Sequence, residues 1–418
     1  MIYLDNAATS PIRVQAREAM FHAMELACNP SSLHAHGRRA HALLETAREQ
    51  VARLVGAAPN EIFFTSGGTE AINQAFYTVE RMYGHAAVDA AAHLPYGSSA
   101  PAAAHSPHGN LSAGTAHPHG HLAIGAMEHH AVLHAAERAR DTGFSLSLVE
   151  PDAGGVIQPE ALTAALTPDT RMAAVMAVNN EVGTLQPIAR LTELCAQKGV
   201  LFFCDAVQAA GHIPIDVQRW GVDLLAISSH KFNGPMGVGA LYVKKGVTVH
   251  PLLVGGGQER GLRSGTQNLP GIVGMGVAAQ WACDTLAQES ARVAALREAA
   301  RTGIAAVAPN AVFNGNPDAL APGILSVTFR GLQAEALHML LDMQGISTSI
   351  GAACGAGTQE FSHVLRAMGV DNVAAQGTLR ISFGLHNTME DVDKLVAALG
   401  ICVGKLLKVS PVRPSRSC

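Results

Sequence analysis

Charge is scarce in this 418-residue chain: Asp, Glu, Lys and Arg make up 15% against 48% apolar residues, and the formal charge is −4. With no basic excess to neutralise phosphates, nucleic-acid binding is not expected, and the apolar content is too high for a disordered chain. Long hydrophobic runs are missing as well. Stretches such as Met172–Val178 stop after about seven residues, far short of the roughly 20 that a spanning helix needs. No cationic leader precedes Ile2-Tyr3-Leu4, so a soluble, cytoplasmic protein with no membrane segment is the expectation. The 7 cysteines are widely spaced, odd in number and free of any CxxC pair, which argues against a disulfide framework and against a structural zinc site. No internal repeat is present.

The length exceeds what one core usually holds and implies two domains. Residues 61–65, 171–178, 200–204, 223–228 and 239–243 are short apolar runs bounded by polar or glycine-containing turns, and they read as buried strands. Helical patterns lie between them. Leu43, Leu44, Ala47, Val51 and Leu54 recur at three- and four-residue steps ahead of Gly56, and Ile188, Leu191, Leu194 and Cys195 do so between Pro187 and Gly199. Strand alternating with helix implies an α/β fold with a mostly parallel sheet covered on both faces. Beyond about residue 270 longer amphipathic patterns take over (291–307, 334–343, 389–399), with strands at 324–329 and 378–383.

The expected division is a large domain, 14–265, and a smaller α+β domain made of 1–13 and 266–418. Residues 85–121 are rich in Ala, Pro, Gly, Ser and His, without periodicity, and read as a loop insertion. No carboxylate or thiol cluster joins its histidines, so no specific metal site is expected. The tail from Lys405 to Cys418 is expected to fray.

Ser229-His230-Lys231 ends one apolar run and precedes Gly234-Pro-Met-Gly237. A lysine at the mouth of a buried strand can be desolvated enough to lose its proton and attack an aldehyde, although a surface lysine would give the same tripeptide. Asp205 ends the run before it, one strand-helix unit upstream. In a parallel sheet both emerge at the carboxyl edge, where ligands of such sheets bind. A buried acid there needs a cationic partner, and a protonated pyridine nitrogen would serve; a helix cap is the alternative for Asp205. Thr65-Ser66-Gly67-Gly68-Thr69-Glu70 lies between a strand and an apparent helix, where glycines, helix amides and the Thr69 hydroxyl suit a phosphate. Ser228 and His230 could add donors to it.

Taken together these residues resemble the fold type I pyridoxal-phosphate enzymes, specifically the class V aminotransferase superfamily and its cysteine desulfurase branch. The likeness extends to Tyr3-Leu-Asp-Asn-Ala-Ala-Thr9, Asn29-Pro-Ser-Ser-Leu-His34, Glu128-His129-His130-Ala-Val132, Asn179-Asn180-Glu-Val-Gly183, Arg263-Ser-Gly-Thr266, Cys354 with its flanks, and Leu379-Arg380. The resemblance implies a seven-stranded sheet in the large domain and pyridoxal 5'-phosphate as cofactor. It implies Lys231 as the Schiff-base lysine, Asp205 at the pyridine nitrogen and His129 stacked on the ring, where it could also shuttle a proton. Asn180 and Gln208 are implied at the phenolic oxygen, with Asn180 also near substrate. Gly68, Thr69, Ser228 and His230 are implied at the phosphate, joined by Thr266 from the second subunit of a homodimer.

Arg380 is similar to the arginine that clamps a substrate carboxylate. Cys354, set in Gly351-Ala-Ala-Cys-Gly-Ala-Gly357, resembles the persulfide-forming cysteine of the desulfurases. Its spacing to Val364–Gly369 matches the branch with the longer loop, although that branch carries Ser-Ala-Cys-Thr-Ser. The implied reaction is conversion of L-cysteine to L-alanine with sulfur passed through Cys354 to an iron-sulfur scaffold or a sulfur-carrier protein. Alternatives are a class V aminotransferase, a selenocysteine lyase, or a non-catalytic cofactor-binding protein serving assembly or regulation.

Overall fold

Seven strands build one sheet in the order Ile62–Thr65, Gly239–Val243, Leu224–Ser228, Leu201–Asp205, Thr170–Ala174, His121–Gly125, Ser145–Val149. The computed structural model describes residues 1–26, 28–84, 119–350 and 361–409. Cys354 and residues 85–118 of the histidine-rich stretch therefore lie outside the described residues. Gly239–Val243 runs antiparallel to both of its neighbours, and the other adjacent pairs are parallel. This is the expected mostly parallel, seven-stranded α/β sheet.

Its strands are apolar on both sides because both faces are covered. Phe202, Cys204, Leu225 and Ile227 belong to one core, together with the helices Ala35–Val55 and Ile188–Gln197. Phe203, Leu224 and Ala226 point the other way, into a core shared with the helices Gly68–Tyr83 and His130–Asp141. The expected strands shift by a residue or so at their ends. Two further strands, His121–Gly125 and Ser145–Val149, complete the sheet, so His121 at the end of the histidine-rich stretch is a buried strand residue.

The second core surrounds a four-stranded antiparallel sheet ordered Ser349–Ile350, Thr378–Ser382, Ile324–Phe329, Ala311–Asn314. The N-terminal pair Ile2–Tyr3 lies parallel to Ile346–Ser347. The two cores are spanned by one 39-residue helix, Leu269–Val307. Its first half, through Cys283, packs on the large core, and Val293, Leu296, Ala300 and Ile304 pack on the small one. Gly276 permits its close crossing over Ala35–Val55, since a Cβ there would lie 2.7 Å from the Ala47 Cα. The last helix, Met389–Val409, carries Lys405 and Lys408 in regular structure, further than the frayed tail expected from composition. Among the described residues no helix is long and apolar enough to cross a membrane.

Candidate active site

Three chain segments meet at the carboxyl edge of the large sheet. The parallel neighbours Leu201–Asp205 and Leu224–Ser228 end there, the second running directly into the turn Ser229–Lys231. Residues 7–13 lie across that turn: Ser10 N–H donates to the His230 carbonyl at 2.9 Å and Arg13 N–H to the Asn233 carbonyl at 2.9 Å. Lys231 Nζ donates to the carbonyls of Ala7 at 2.6 Å and Ala8 at 3.0 Å, and Gln208 Nε2 reaches the same Ala7 oxygen at 2.7 Å. Lys231 and Gln208 thus converge on one point.

Asp205 is buried, with Oδ1 accepting the Val207 N–H at 2.9 Å. Burial pushes its carboxyl up to about 6, against the opposing effects of the Val207 amide and the nearby Lys231 charge. Behind it, the wholly buried Glu128 is pushed well above the usual range by burial and by the Asp205 charge. Glu128 Oε1 accepts the Met176 N–H at 2.6 Å, and its Oε2 has no partner. One carboxyl of this pair therefore keeps its proton while the other carries the charge.

His129 opens the helix His130–Asp141, its Nδ1 accepting the Ala131 N–H at 3.1 Å. That leaves the ring proton on Nε2. Burial and the neighbouring Lys231 charge, with help from three further histidines, lower its pKa to about 4. His230, whose Nδ1 lies 3.1 Å from Thr9 Oγ1, is likewise lowered to about 4 by burial and by Lys231. Both imidazoles are neutral at physiological pH.

The turn after Ile62–Thr65 enters the helix Gly68–Tyr83 through Gly67 and Gly68. A Cβ on Gly68 would stand 2.7 Å from Val207 Cγ2, so the chain can pass there only without a side chain. Thr69 is exposed at this helix start and Ser228 is buried beside it, the nearest Ser228 atom being 3.6 Å from that same Cβ position. Glu70 fixes the turn, accepting from Ser66 N at 2.8 Å and from Arg263 Nε at 2.9 Å.

Arg380, on Thr378–Ser382, is buried and points to the same region. It donates to the Asn180 carbonyl at 2.9 Å and to Asp5 Oδ1 at 2.8 Å, while its Nε is buried without a partner. Thr266 is exposed in the single chain.

These residues suit pyridoxal phosphate. A fully buried carboxylate held above its normal range calls for an adjacent cation, which a protonated pyridine nitrogen supplies. A glycine-lined start to a helix of 16 residues calls for an anion, and a neutral His129 suits a flat aromatic face. Among the described residues no three His, Cys, Asp or Glu side chains are arranged to hold a metal ion.

Motif reading did not single out Glu128 alone as a buried acid, Asp5 as the partner of Arg380, or Ser362 and His363. Ser362 Oγ donates to Glu181 Oε2 at 2.5 Å, and His363 Nε2 lies 2.9 Å from the Glu128 carbonyl. The available signal was a serine just ahead of Val364-Leu365, a helix-start pattern.

Known proteins resemble this chain in sequence and fold. The model of the aminotransferase class-V family matches residues 2–93 and 98–395. The chain is 38% identical over 414 residues to the cysteine desulfurase IscS of Methanosarcina thermophila, covering 99% of this chain and 94% of that protein. Among solved structures, a NifS-like protein superposes with a TM-score of 0.84 at 35% identity, covering 97% of this chain and 100% of the other. SspA in complex with cysteine superposes with a TM-score of 0.75 at 30% identity, covering 92% and 99%.

Proposed function

Because the chain belongs to the aminotransferase class-V family and resembles cysteine desulfurases along its whole length, we propose that it is a pyridoxal-phosphate-dependent cysteine desulfurase. It would convert L-cysteine to L-alanine and pass the sulfur onward through Cys354. The observation that carries this reading is the meeting of Lys231, the buried Asp205 and a neutral His129 at one sheet edge. That set matches what the family's cofactor needs.

In this reading Lys231 Nζ, Asp205 and His129 hold the ring end of the cofactor. Asn180 and Gln208 serve its phenolic oxygen, and Gly68, Thr69, Ser228 and His230 its phosphate, with Thr266 contributed across a homodimer. When bound, pyridoxal phosphate supplies an electrophilic aldehyde carbon and a protonated ring that withdraws electrons from an attached amino acid. Asp205, as a carboxylate, would keep the ring nitrogen protonated. Arg380 holds the substrate carboxylate through planar donors, its unpartnered Nε among them. Lys231 Nζ would act as the general base that takes the proton from the substrate Cα. His129 Nε2–H is placed to share that proton traffic.

The Cys354 thiolate attacks the substrate sulfur. The S–S bond forms as the C–S bond breaks, the cysteine carbon gains a proton, and the products are a Cys354 persulfide and alanine. A persulfide is useful only when handed on, so an iron-sulfur scaffold or a sulfur-carrier protein is the partner this chemistry requires. SspA, solved in complex with cysteine, supports cysteine as substrate. The test is Cys354→Ser: the variant should retain the coloured cofactor and release no sulfide from cysteine. Undiminished sulfide from that variant would refute the assignment.

A further inference from the structure

The short helix His363–Ala367 packs against the turns that carry His129 and Asn180. Val364, Leu365 and Met368 form a small buried cluster of their own with Met127 and Val182, two residues ahead of His129 and two residues past Asn180 respectively. The two turns also touch directly, since Asn179 Nδ2 donates to the Met127 carbonyl at 3.0 Å. What closes this arrangement is the adjacent pair Ser362 and His363.

Ser362 Oγ caps its own helix by accepting the Leu365 N–H at 3.1 Å, and gives its proton to Glu181 Oε2 at 2.5 Å. Glu181 is the residue next to Asn180, and it is buried. Burial raises its carboxyl to about 7, against the Ser362 hydrogen bond and the Arg380 charge. His363 Nε2 meets the Glu128 carbonyl at 2.9 Å, and its ring lies 4.7 Å from that of His130. Glu128 and His130 are the two neighbours of His129. One dipeptide therefore grips the chain beside Asn180 with a serine hydroxyl and on both sides of His129 with an imidazole.

We propose that Ser362 and His363 are positioning residues: a two-point clamp that fixes the turns of His129 and Asn180 relative to each other, and so sets both against the cofactor and substrate. The consequence for the reaction rests on the desulfurase reading; the clamp itself does not. Displacements of about an ångström can cost on the order of a hundredfold in rate without any lost contact to substrate. Loosening the clamp should therefore lower turnover more than affinity.

The test uses full-length protein as Ser362→Ala, His363→Phe, and the donor-preserving Ser362→Thr and His363→Gln. Turnover per bound cofactor should fall about tenfold or more in the first two, with KM for cysteine changed by less than about threefold. The visible circular-dichroism band of the bound cofactor should change in His363→Phe, whereas Ser362→Thr and His363→Gln should keep most of both properties. A role in stability alone would lower the melting temperature and the holoenzyme yield while leaving turnover per bound cofactor intact, and that pattern would overturn the proposal.

Amide exchange in residues 127–131 and 178–183 of the cofactor-free protein should quicken in Ser362→Ala and His363→Phe, and this readout needs no activity. If wild type binds no cofactor or releases no alanine, the desulfurase reading fails and exchange still decides the clamp. If exchange, turnover and the dichroic band of both variants match wild type, the clamp is refuted. Should His363→Phe not fold, Ser362→Ala against Ser362→Thr gives the same decision.

Discussion

Asp205 makes a measurable and counter-intuitive demand on the cofactor-free protein. Its carboxyl is fully buried and raised from an ordinary 3.8 to about 6, chiefly by loss of water. An acid whose folded pKa is raised binds protons more tightly folded than unfolded, so stability falls as pH rises through that interval. The penalty is absent below about pH 3.8, grows between the two values and is complete above about 6. At about 1.4 kcal/mol for each tenfold change in proton affinity, the interval from 3.8 to about 6 corresponds to about 3 kcal/mol. Asp205→Asn removes the charge and keeps an oxygen for the Val207 N–H. The cofactor-free variant should therefore be more stable than cofactor-free wild type by a few kcal/mol above about pH 7, with the gain shrinking towards pH 4. Urea unfolding of both proteins across that range measures it. Added pyridoxal phosphate should reverse the order, because the ring cation compensates the wild-type carboxylate and has nothing to pair with in the variant. A cofactor-free Asp205→Asn protein that is less stable than wild type near neutral pH, or a difference that does not vary with pH, would refute the reasoning.

Two other substitutions probe the binding and the scaffold. Arg380→Lys keeps the charge and loses the planar pair of donors, so KM for cysteine should rise by about 10- to 100-fold with a smaller change in kcat, as steady-state kinetics would report; an unchanged KM would remove Arg380 from the carboxylate site. Arg48 and Glu259 form a buried two-point ion pair at 2.7 and 3.0 Å, with Glu259 also accepting the Phe64 N–H at 2.9 Å. Arg48→Met strands that carboxylate in the large core and should cost about 3–5 kcal/mol in urea unfolding, and the double change Arg48→Met with Glu259→Gln should recover part of the loss.

How much of this could be read in advance follows from where each interaction closes along the chain. Leu201–Asp205 and Leu224–Ser228 were legible because a strand covered on both faces must be continuously apolar, and the residue that follows it must be polar to face the ligand edge. The placement of Asp205 and Lys231 at one edge came with that reading. Ser145–Val149 was not legible: it is the edge strand, its outer residues are partly exposed, and its serines break the apolar run. The unbroken helix from Leu269 to Val307 escaped for a different reason. Its apolar stripe changes partner from the large core to the small one partway along, so no single periodic face runs through it.

At the site itself, single motifs nominate candidate groups wherever one short segment carries them, as at Gly67-Gly68-Thr69 and Ser228-Ser-His-Lys231, and the structure sets both segments at strand ends of the large sheet. Such motifs do not reach contacts that close between remote segments. Arg380 is nominated only through the family resemblance, and its contact with Asp5 exists because the N-terminal residues lie beside Thr378–Ser382, just as its contact with the Asn180 carbonyl joins segments 200 residues apart. Ser362-His363 reads as an ordinary helix start, and only the packing of Val364, Leu365 and Met368 on Met127 and Val182 brings their polar atoms to Glu181 and Glu128. A local pattern can nominate a group that reacts. The groups that hold it still are selected by tertiary contacts, and a substitution there should show itself first in rate per bound cofactor.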